Sequence, residues 1–112
     1  MATSSYQTNK KVESIAKNFM YCKRYLAYEQ LTRRFPSKFK LQFASREDCL
    51  FFTRHVYLCL EKLDPLDRDF LISVYFEKNP NFAKNFPSST FYRLKNVANE
   101  KFLKEFNKNE KL

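Results

Sequence analysis

The 112 residues of this chain include no glycine, and that absence restricts the fold more than any residue that is present. Glycine takes positive φ without steric cost, so the tight turns of β-hairpins, which demand positive φ at fixed positions, are largely denied to the chain. Gly-rich loops that close on a phosphate are excluded on the same ground, and with them Walker-type and dinucleotide-binding functions. Helices joined by Asn and Pro remain. With 44% apolar and 29% charged residues the chain can bury a core, and its length suits one domain spanning 1–112. The expected fold class is all-α, a single domain of four to five helices.

Apolar periodicity marks the helices. Over residues 9–34, Val12, Ile15, Phe19, Cys22 and Leu26 recur at steps of three and four, predicting a long first helix that Phe35-Pro36 ends. Residues 38–43 alternate polar and apolar, which suits either a short extended piece or a connector with Phe39, Leu41 and Phe43 turned inward. Ser45 offers an N-cap for a second helix over 45–63, with Cys49, Phe52, Val56, Cys59 and Leu63 at core spacing. Asp64-Pro65 then supplies a cap and a first-turn proline for a third helix over 65–77. Its core face is Leu66, Phe70, Leu71 and Val74, and Asn79-Pro80 closes it. Residues 81–87 have room for a helical turn or two. Ser88-Ser89-Thr90 offers caps for a last helix with Phe91, Leu94, Ala98, Phe102 and Phe106 inward, and residues 107–112 read as a frayed tail.

The formal charge of +9 favours an anionic partner, although coding in AT-rich DNA also enriches Lys and Asn. Its distribution is uneven: residues 1–44 carry +7, residues 45–80 carry −2 and residues 81–112 carry +4. Cys22, Cys49 and Cys59 are odd in number and lack CxxC spacing, so they read as small core residues in a reducing compartment rather than as a disulfide or zinc framework. No signal peptide or membrane span is evident, which leads to an expectation of a cytoplasmic protein. His55, the sole histidine, stands without a nucleophile or carboxylate set, and Asp64, Asp67 and Asp69 read as helix-start residues rather than metal ligands. The chain is read as no enzyme, with no metal, cofactor or small-molecule substrate.

A short helix, a tight turn and a Ser-led polar-faced helix outline a helix-turn-helix over 64–106. The stretch Leu63-Asp64-Pro65-Leu66-Asp67-Arg68-Asp69-Phe70-Leu71, the aromatic end Val74-Tyr75-Phe76 and the run Ser89-Thr90-Phe91-Tyr92-Arg93-Leu94-Lys95 with Ala98 resemble the region-four-like helix-turn-helix of sigma factors, especially the ArpU-type phage transcriptional regulators. Asn85-Phe86-Pro87 stands where that family has Gly and an aliphatic residue. Small Gly-poor proteins of mollicutes are similar throughout. The resemblance implies binding of double-stranded DNA in transcription regulation, with residues 88–96 toward the major groove.

Arg93 and Asn96 lie one turn apart on the side of the last helix away from its core stripe. Arg makes two hydrogen bonds to guanine and Asn two to adenine, so the pair suits base reading. Ser88, Ser89, Thr90, Tyr92 and Lys95 would hold phosphates beside them at the positive helix end. On the first helix, Tyr21, Tyr25 and Tyr28 lie opposite the core stripe, near Arg24, Arg33 and Arg34. Contact with a protein partner or with a second copy, as in a homodimer, is favoured for this strip over intramolecular packing or stacking of unpaired bases. The competing reading of the whole chain is a helical protein-interaction module that has lost DNA.

Overall fold

The computed structural model describes residues 5–32 and 46–110. The stop at Phe35-Pro36, the connector over 38–43, the Ser45 cap, Arg33 and Arg34 lie outside the described residues. The described chain is all-α. Helix α1 runs Ser5–Thr32, α2 Arg46–Glu61, α3 Pro65–Leu71 and α4 Ser88–Glu110, so the residues read as a frayed tail are helical to Glu110. No helix among the described residues is long and apolar enough to cross a membrane.

The apolar stripes meet in one main core. Val12, Ala16 and Phe19 of α1, Val56, Cys59 and Leu60 of α2, Phe70 and Leu71 of α3, and Ala98 and Phe102 of α4 are buried together. Phe52, Val74, Phe91 and Leu94, also expected in this core, are partly buried against it. A smaller cluster forms where Cys22 of α1 meets Cys49 of α2, with Leu26 and Phe52 packed on it. An ion pair from Arg46 to Glu29 joins the start of α2 to the far part of α1.

Two expectations for α3 are corrected. Leu66, assigned to the core face, is 85% exposed. The reason is angular: Phe70 and Leu71 set the buried direction, and at about 100° per residue Leu66 falls roughly 90° from their mean. Asp64 occupies the cap position, but its side chain makes no cap hydrogen bond. Its carbonyl accepts from the Arg68 N–H at 2.9 Å, while the carboxylates of Asp64 and Asp67 turn to Lys101 of α4 at 3.8 and 2.9 Å.

Beyond Leu71 the same helix widens into a π-helix over Ile72–Phe76, whose five-residue spacing shows in the Glu77 N–H to Ile72 O bond of 2.7 Å. The run Ile72-Ser73-Val74-Tyr75-Phe76 is rich in β-branched and aromatic residues, which crowd a regular α-turn. The chain leaves this helix through Lys78 at φ 52°, the one positive-φ position among the described residues. The Asn79 N–H donates back to Ser73 O at 2.9 Å, closing a widened C-terminal cap around it. Asn79 Oδ1 then accepts from the Asn81 N–H at 3.0 Å, a side-chain turn that starts the connection to a 3-10 helix at Phe82–Asn85. The Phe91 N–H donates to Pro87 O at 2.9 Å. Pro87 thus opens α4, and Ser88, Ser89 and Thr90 fill its first turn instead of preceding it.

Candidate nucleic-acid interface

Helix α4 is held to the core by Phe91, Leu94, Ala98 and Phe102, and that attachment decides what its other side presents. Spaced at about 100° per residue, Ser89, Tyr92, Arg93 and Asn96 share one arc of roughly 100° away from the stripe. Ser88, Ser89, Tyr92 and Arg93 are exposed, and Asn96 is half-buried. The first-turn N–H groups of α4 lie at the positive end of a 23-residue helix. Glu100, one turn beyond Asn96, is exposed and bounds the arc with negative charge.

Thr90 and Lys95 are half-buried and stand off this arc. The Lys95 ammonium lies 5.5 Å from the ring centre of Tyr75, a cation–π contact that draws the lysine toward the π-helix and away from Arg93. Tyr75 is itself buried; its hydroxyl donates to Asn9 Oδ1 at 3.3 Å, and Asn9 Oδ1 also accepts from Asn99 Nδ2. Burial pushes the Tyr75 phenol up to about 12, so the ring under Lys95 keeps its proton well into alkaline pH. This network ties α1, the π-helix and α4 together.

Beside it runs an open groove of about 520 Å³ between α1, the π-helix and α4. Among the described residues, Lys17 and Arg24 of α1, Lys78 and Lys95 contribute four cations to its lining, against the single carboxylate of Glu13. Ala16, Met20 and Val74 supply apolar surface.

The aromatic strip of α1 is not uniformly outward. Tyr21 is half-buried and lines the groove, with the Arg24 guanidinium 5.8 Å from its ring centre. Tyr25 is half-buried as well, and of the three only Tyr28, at 48%, is counted among the exposed large apolar side chains. A face opposite the core stripe need not be free, because the π-helix and its exit pack near α1 on that flank.

Other titratable groups serve packing. His55 stacks on Phe51 and lies 4.5 Å from the Phe106 ring, with Nε2 3.1 Å from the Phe106 carbonyl. All three cysteines are buried free thiols. Burial pushes Cys22 up to about 12 and also raises Cys49, which leaves these thiols protonated and weakly nucleophilic.

Lys17 and Lys78, which line the groove, were not singled out by the sequence. For Lys17 no signal distinguished it from other surface lysines. For Lys78 there was one: in a chain without glycine, the residue before Asn79-Pro80 that ends a helix is a natural position for left-handed backbone. Compared with family models, with curated proteins and with solved structures, the chain matches none of them.

Proposed function

We propose that this chain binds double-stranded DNA through the first turns of α4, as a regulator of transcription. The observation that carries the reading is the arc of Ser89, Tyr92, Arg93 and Asn96, polar and aromatic, beside a groove with four cations. Arg93 and Asn96 have the donor and acceptor sets that discriminate guanine and adenine. Ser88, Ser89 and the free end of the helix supply phosphate donors. Lys95 serves the groove edge rather than the same strip as Arg93.

The test is binding to mixed duplex fragments, followed by fluorescence anisotropy at low and moderate salt. A protein that neutralises 6 to 10 phosphates loses about 10³- to 10⁵-fold in affinity between roughly 50 and 200 mM salt. Arg93→Ala is expected to cost about 1–3 kcal/mol on preferred sequences and to flatten sequence preference. Lys95→Ala is expected to weaken all sequences alike. A wild-type protein that binds no duplex at low salt overturns the proposal in favour of an interaction module.

A further inference from the structure

Three features coincide at one place in the fold. The π-helix Ile72–Phe76 supplies part of one groove wall; such helices recur at functional sites because they give up regular hydrogen bonding for a local change of direction. At its exit a lysine, not a glycine, holds φ 52°, a conformation that costs any residue with a Cβ and persists where surrounding structure enforces it. That lysine belongs to the groove, together with Lys17, Arg24 and Lys95. Four cations line the groove against one carboxylate among the described residues, that of Glu13, an excess of positive charge that favours an anion. On the opposite flank of α4, by contrast, Lys101 is met by both Asp64 and Asp67.

We infer that the groove bounded by Lys17, Tyr21, Arg24, Lys78 and Lys95 is a binding site for phosphate groups. Arg24 offers a planar fork for two phosphate oxygens, and the three lysines add point charges around it. Tyr21 contributes a hydroxyl and a ring face, and the apolar lining accommodates the sugar or base attached to the phosphate. The inference goes beyond duplex recognition by α4, because it concerns the other wall of the π-helix and rests on chemistry shared by a nucleic-acid backbone and a free nucleotide or polyphosphate.

The experiment compares the full chain with Lys78→Gly, with the double variant Lys17→Gln/Arg24→Gln, with Arg93→Ala and with Lys108→Gln as a control. Duplex DNA and inorganic tripolyphosphate are the two probes, and melting temperature is measured alongside. Lys78→Gly should melt higher than the wild type, since glycine relieves the left-handed position, and yet bind phosphate more weakly; a purely structural lysine would improve one property without harming the other. On DNA, the slope of log affinity against log salt should fall by about 1 for Lys78→Gly and about 2 for the double variant. On tripolyphosphate, the double variant should lose about tenfold or more, with Lys108→Gln unchanged on both. Binding of DNA that responds to Arg93→Ala but to neither groove variant overturns the groove and leaves the DNA reading standing. Binding of tripolyphosphate sensitive to the groove variants, with no binding of duplex, supports the groove and removes the DNA reading. Binding of neither probe overturns both.

Discussion

The segment from Pro65 to Phe76 has two unlike flanks. On one, Phe70 sits among Phe82 and Phe91 at ring-centre distances of 5.3 Å each, and Phe82 reaches Phe86 at 5.4 Å. On the other, the π-helix borders a solvent-open groove with four cations and a lysine in left-handed backbone. The first flank is built for stability: apolar area leaves water, and the edge-to-face rings add to that burial. The second contains a feature that lowers stability, namely a Cβ where none is welcome. One helix thus separates the two tasks by its faces, and substitutions on either face should differ in kind.

The largest break should come on the ring side. Phe70→Ala removes a buried ring from three others and is expected to cost about 3–5 kcal/mol, read as a fall in denaturant midpoint. A midpoint within error of the wild type would show that the rings do not carry the fold.

High pH should act next. Burial raises Cys22 from 9.0 to about 12 and Tyr75 from 10.0 to about 12, so the native state retains protons that the unfolded chain releases. Stability from these groups is complete below pH 9.0 and declines as pH rises from there toward about 12. Denaturant midpoints taken from neutral to strongly alkaline pH should show this decline, and Cys22→Ala should make it shallower. A flat profile would mean that neither group is withheld from solvent.

The groove side should respond in the opposite direction. Lys78→Gly is expected to stabilise by about 0.5–1 kcal/mol, the relief of left-handed backbone less the extra entropy of an unfolded glycine. A loss of stability would mean that the lysine side chain holds the turn. The smallest effect belongs to the exposed start of the same helix, where Leu66→Ala should change stability by less than about 0.5 kcal/mol. A larger loss would restore Leu66 to a packed surface.

Periodicity and composition made much of this legible. The absence of glycine turned the fold toward helices, and the spacing by three, four and seven residues of Val12, Phe19 and Cys22, of Cys49, Val56 and Cys59, and of Ala98 and Phe102 located the buried stripes. Those inferences work because a stripe is a local property: one helix carries it whatever it packs against. Of the residues expected to meet DNA, Ser89, Tyr92, Arg93 and Asn96 share the side of α4 away from its core, a placement that follows from the stripe by rotation alone.

Other features depended on partners far away along the chain. Asn9 and Asn99 meet across 90 residues, and Lys101 finds Asp67 across 34, pairings for which no periodic signal exists. The cap expected of Asp64 lost to a tertiary partner, Lys101, whereas Ser88 lost its cap place locally, because α4 starts one residue earlier with the Phe91 N–H on the carbonyl of Pro87. Glycine's absence implied turns made by Asn and Pro, yet the left-handed residue is Lys78, because the cap around it and the packing of the π-helix outweigh an intrinsic preference of a kcal/mol or so. The gathering of Lys17, Arg24, Lys78 and Lys95 around one groove arises in the same way, from how α1 crosses the π-helix and α4. Spacing along a chain reports the face of each helix, whereas which faces meet is settled by the summed burial of all of them.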